Sequence, residues 1–113
     1  LARCRLGLAT LLWDLGRIKE AQQANSSALG LLRGLLAEGP ASADCRLDLA
    51  HALRMQGNLA ARNGIATEAS LREAVDVLDG LAKEQPDNPA CRRDQLATWL
   101  SLRASRRVLL LGF

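Results

Sequence analysis

Residues 49–69 read LAHALRMQGNLAARNGIATEA, and the spacing of their small residues decides the fold. Ala50, Gly57, Gly64 and Ala69 fall seven, seven and five residues apart. That rhythm predicts a helix, a break at Gly64 and the start of a second, antiparallel helix lying close against the first. The pattern recurs. Forty-eight residues upstream, Leu1, Ala2, Ala9, Leu11, Gly16, Glu20 and Ala21 match Leu49, Ala50, Gly57, Leu59, Gly64, Glu68 and Ala69 in identity or in small size. Gly34, Leu35, Glu38, Pro40, Cys45, Arg46 and Asp48 return 46 residues later as Gly80, Leu81, Glu84, Pro86, Cys91, Arg92 and Asp94. After one further residue, Leu49, Ala50 and Leu53 return as Leu96, Ala97 and Leu100. Self-similarity at such a period marks a chain built by stacking one supersecondary unit on the next.

Working outward, the spacing predicts five helices in an all-α domain and no sheet. In the first, Ala2, Leu8, Ala9, Leu12 and Leu15 form the stripe and Gly16 ends it. The second carries Ala21, Ala24, Ala28, Leu31, Leu32 and Leu35 and is closed by Gly39 and Pro40. Ser42 is placed to cap the third, whose inward residues are Leu47, Ala50, Leu53, Gly57 and Ala60. The fourth starts near Thr67, turns Ala74, Val75, Leu78, Leu81 and Ala82 inward and stops before Pro86. In Pro86-Asp87-Asn88-Pro89, Asn88 caps a fifth helix and Pro89 takes its first position. The units are residues 1–40, 41–86 and a partial repeat or capping helix at 87–113, its end solvated by Arg103, Arg106 and Arg107. Starting at Leu1 in mid-pattern, the chain reads as a fragment of a longer protein.

The apolar share is 49%, but Leu and Ala dominate it and β-branched and aromatic residues are scarce, which favours helix over strand. The net charge of +3 is almost all arginine, with lysine only at Lys19 and Lys83. Basic residues alternate with acidic ones and there is no tyrosine, so no stacking platform or basic stripe suggests nucleic acid. The longest apolar run, Val108 to Leu111, is far too short to cross a membrane, and no basic-then-apolar leader opens the chain. A cytoplasmic protein is expected. Cys4, Cys45 and Cys91 are odd in number and too widely spaced for a metal knuckle. They read as reduced and structural, with Cys45 and Cys91 early enough in their helices for a slightly lowered thiol pKa. His51 is the sole histidine, with no serine, cysteine or metal-ligand partner at a recognisable spacing, and no Gly-rich loop carries a phosphate-binding Lys-Ser/Thr. No enzyme, metal or cofactor is expected. Glu20 and Glu68 sit early in their helices and suit the positive end of the dipole. Trp13 reads equally as groove anchor or core, and Trp99 as core.

The small residues Ala9, Ala21 and Ala28 in the first unit, and Gly57 and Ala69 in the second, resemble the tetratricopeptide repeat, with Ala74 reached after a two-residue shift. The longer period and the phrase CRLDLA...GNLAARNG...EA are similar to the variants related to kinesin light chain and to repeats attached to bacterial kinases. The missing tyrosines and the absent last helix depart from the family pattern. The resemblance implies a right-handed superhelix of about two and a half helix pairs whose first helices line a concave groove for a peptide or protein segment. Aligning Ala9, Gly57 and Ala104 then places Arg3, Leu6, Thr10 and Trp13, His51, Arg54, Asn58 and Ala61, and Thr98, Ser101, Ser105 and Val108 in that groove. Of these, Arg3, Thr10, Trp13, His51, Arg54, Asn58, Thr98, Ser101 and Ser105 are the candidate binding residues. Arg54 and Asn58 stand one turn apart, so a guanidinium meets an acidic group while an amide bonds the ligand backbone. The Gly57 and Ala69 pair marks the closest helix crossing. The rival reading is a spacer or self-association domain of a larger bacterial signalling protein.

Overall fold

The computed structural model describes the backbone of residues 2–38, 43–62 and 68–110, and the side chains of 4–38, 43–60 and 68–104. Five helices account for it: α1 (Ala2–Asp14), α2 (Ile18–Ala37), α3 (Ala43–Arg62), α4 (Glu68–Glu84) and α5 (Pro89–Leu110), with no strand among the described residues. The expected breaks at Gly39 to Ser42 and at Gly64, and the cap at Ser42, lie outside those residues.

Two breaks are described in full. At the end of α1, Gly16 takes φ 78°, its N–H bonds the Trp13 carbonyl at 3.0 Å and the Arg17 N–H bonds the Leu12 carbonyl at 2.8 Å. This is the paired C-cap that needs a left-handed residue, which glycine adopts without a Cβ penalty. Before α5, Asn88 Oδ1 accepts from the Ala90 and Cys91 N–H groups at 3.0 and 3.2 Å. Pro89 fills the first helical position, where no N–H is needed. Asn88→Ala is expected to cost about 0.5–2 kcal/mol, read as a lower urea midpoint at unchanged slope.

Each helix packs on the next in the chain, and α3 also touches both α1 and α5. The main core gathers Leu6 of α1, Ala28, Leu29 and Leu32 of α2, Leu49, Ala50, Ala52 and Leu53 of α3, Ala74, Leu78 and Leu81 of α4 and Cys91 of α5. A smaller cluster of Leu12, Ala21 and Leu59, with Trp13, Ile18 and Met55 against it, closes the end near Gly16. Exposed ion pairs join helices: Arg33 of α2 reaches Glu73 of α4 at 3.0 Å, and Arg46 of α3 pairs with Glu84 of α4. Such pairs contribute little stability but favour one register. The two early acids are paired locally, Glu20 with Arg17 and Glu68 with Arg72.

Packing corrects several stripe assignments. Leu8 of α1 and Leu15 just beyond it face solvent, and Leu6 and Trp13 join Ala9 and Leu12 in packing inward. α1 has leucine on several sides, so its own spacing does not select the buried side; α2 and α3 do. In α2, Leu35 is exposed while Asn25 is buried, its Nδ2 donating to the Ala52 carbonyl of α3 at 2.9 Å. Trp99, expected in the core, is half exposed. Ala69 is exposed and takes no part in the close crossing. Gly57 does, and its partner is Leu71: a Cβ at position 57 would lie 2.9 Å from Leu71 Cγ. Residues 69 and 71 are about 200° apart around a helix, so only one of them can face α3.

Candidate functional site

On α3, His51, Arg54 and Asn58 occupy one helical face at spacings of three and four, and all are half-buried. Arg54 Nη2 stands 3.1 Å from His51 Nδ1. Because a guanidinium only donates, Nδ1 is the acceptor and the ring proton sits on Nε2. Burial lowers the His51 pKa and the Arg54 charge lowers it further, while Asp94 of α5 and Asp48 one turn back on α3 pull it up. The result is a neutral imidazole in a mixed-charge patch spanning α3 and α5. Asp48 and Asp94 thus set negative charge beside His51. Asp48, three residues before His51, was legible from helical spacing, whereas Asp94 comes in from α5.

The remaining candidates divide. Thr10 is half-buried and its hydroxyl donates back to the Leu6 carbonyl at 3.0 Å. Trp13 packs partly into the smaller core cluster. Ser101 is half-buried on α5. Thr98 and Leu6 do not face a groove: both are buried, and the Thr98 hydroxyl donates to the Asp94 carbonyl at 2.7 Å. The side chains of Arg3, Ala61, Ser105 and Val108 lie outside the described residues. The α3 residues and Asp94 of α5 are therefore brought together, and the full three-helix row is not.

The cysteines are separate thiols, with Cys4 exposed, Cys45 half-buried and Cys91 buried. Cys91 Sγ lies 3.4 Å from the Leu78 carbonyl. Its pKa is raised by burial and by Asp94 and Asp79, the opposite of the lowered thiol that a helix start suggested. Among the described residues no group of three or more His, Cys, Asp or Glu is placed to hold a metal ion. No helix among them is long and apolar enough to cross a membrane.

Family models, curated proteins and solved structures all give no match to this chain.

The neutral His51 carries a pH signature. Its lowered folded-state pKa means the unfolded chain binds more protons between that value and the ordinary 6.5, so stability rises with pH through this window. The melting temperature is expected to climb as pH rises toward the ordinary histidine value of about 6.5, and His51→Gln should flatten part of that climb. An unchanged slope in the variant would remove His51 as its source.

Proposed function

We propose that the chain is a TPR-like stack of helical hairpins, about two and a half repeats long, acting as a non-enzymatic protein-interaction module. The observation that supports it is the side-by-side placement of α1, α3 and α5, the first helices of the three units, with α3 touching both neighbours. Stacked units of this kind expose a continuous surface suited to an extended segment. On it, Arg54 offers charge-assisted bonds to a ligand carboxylate and Asn58, one turn on, bonds to its backbone. Asp48 and Asp94 then select against ligands with acid groups on both sides of that carboxylate.

The test is partner capture by the wild-type chain against Arg54→Ala and Asn58→Ala. Loss of about 1–3 kcal/mol in binding is expected for Arg54→Ala if its bond is shielded from water, with weakening by salt. Binding unchanged in the double variant would sink the groove reading.

A second reading, self-association, is favoured by α1. Leu8 and Leu11 on it and Leu15 in the turn just after it stand at spacings of three and four and are each about half exposed or more, Leu15 at 63%. Light scattering across a concentration series, repeated on Leu11→Glu, separates a dimer formed through this face from a monomer.

A further inference from the structure

The outer side of α5 carries a second bare apolar stripe, and the internal repeat says what covers such a stripe. Leu96, Trp99 and Leu100 are 63, 51 and 56% exposed. Their repeat equivalents on α3 are not: Leu49 and Leu53, counterparts of Leu96 and Leu100, are 4 and 0% exposed, in one cluster with Ala74, Leu78 and Leu81 of α4. The small residue that receives a leucine knob is repeated too. Gly57 meets Leu71 of α4, and its equivalent Ala104 on α5 is exposed. Beside the stripe, Arg72, Val75 and Asp76 of α4 and Trp99 and Leu102 of α5 line an open hollow of about 280 Å³. It has room for an inserted side chain.

Charge completes the match. Arg46, near the start of α3, pairs with Glu84 at the end of α4. Its motif equivalent Arg92 is exposed near the start of α5, as is Arg93, which stands three residues before Leu96 as Arg46 stands three before Leu49, and exposed Arg103 stands at the other end of the stripe. Eleven residues of helix separate Arg92 from Arg103, about 16 Å, so the stripe is bracketed by cations over three turns. A second copy laid two-fold on this face would set arginines against arginines, which disfavours it.

We propose that the outer face of α5 docks an acidic amphipathic helix of a partner protein, lying on α5 as α4 lies on α3, with a carboxylate of its last turn on the Arg92 and Arg93 pair. The docked helix runs antiparallel to α5. A leucine near its start rests on Ala104, and its apolar stripe covers Leu96, Trp99 and Leu100.

The probe is a synthetic peptide of residues 68–84, EASLREAVDVLDGLAKE, which carries this stripe and sets five acidic residues against Arg72 and Lys83. It is added to the whole chain carrying Trp13→Phe, so that emission reports Trp99 alone. A saturable blue shift is expected, weakened about tenfold or more by Leu100→Glu and several-fold by Arg92→Glu. The peptide with Glu84→Arg should recover binding to the Arg92→Glu chain. Arg46→Glu, on the face already covered by α4, should leave binding unchanged. The proposal is overturned by no shift up to about 1 mM peptide, by an equal shift with a scrambled peptide, or by weakening through Arg46→Glu instead of Arg92→Glu. A Trp99 shift that depends on the chain's own concentration without peptide overturns it in favour of a second copy. None of these outcomes touches Arg54 or Asn58, so the groove reading stands or falls separately.

Discussion

A Gly57→Leu chain is expected to lose about 1–3 kcal/mol of stability, although leucine is the better helix former. At this position even a Cβ would meet Leu71 Cγ at 2.9 Å and Cδ2 at 3.0 Å, and Leu71 is itself 1% exposed. Cγ is the branch point of the side chain, so yielding means changing the Leu71 rotamer inside a packed core or moving α4 off α3. Leu71→Ala alone should cost about 2–5 kcal/mol by leaving a cavity. The two changes together should cost less than their sum, because the methyls removed from one helix make room for those added to the other. Chemical denaturation of the two single variants and the double variant measures that coupling. Strict additivity would mean that Gly57 and Leu71 do not share the crossing.

Asn25→Asp tests the other link between α2 and α3. Asn25 is 2% exposed and spends its amide N–H on the Ala52 carbonyl. A carboxylate there loses the donor, faces a carbonyl oxygen and is taken out of water, which should cost about 3 kcal/mol or more at neutral pH. Burial raises the folded-state pKa of such an acid above its unfolded value near 3.9, so between the two the folded state holds the extra proton. The penalty is therefore full above the raised pKa and fades as pH falls toward about 4, where a protonated carboxyl can again donate to the Ala52 carbonyl. The measurement is the stability difference between variant and wild type at about pH 4.5 and 7.5. A difference that does not shrink on acidification would mean that the carboxylate has reached water.

Helix number and the two described breaks were legible because their causes are local. Gly16 needs only its own backbone, and Asn88 needs only the two N–H groups beyond it. Gly57 was legible as a point of close approach because a small residue in a leucine-rich helix has few other uses. Its partner was not, since Ala69 and Leu71 both suit a crossing by composition and only the rotation of α4 chooses between them. The same limit explains Leu6 against Leu8 on α1, and Trp99 on α5. An aromatic in a repeat is buried when a neighbouring helix covers it, and among the described residues none lies over Trp99. At the candidate site the resemblance singled out the α3 row and helical spacing puts its members on one face, whereas Asp94 arrived through the packing of α5. Thr98 was misread because its hydroxyl, the polar feature that suggested a surface, is satisfied by its own helix.

The order in which the helices pack also governs how the molecule comes apart. Each helix lies on its neighbour in the chain, so most native contacts close short loops, and chains of this kind fold in roughly microseconds to milliseconds. The core is not one unit, however. Leu12, Ala21 and Leu59 form a patch apart from the larger cluster around Leu53 and Leu78. Amide protons near the Gly16 turn should therefore exchange with solvent through a local opening, ahead of those in the middle of α3, which are released only when the whole chain unfolds.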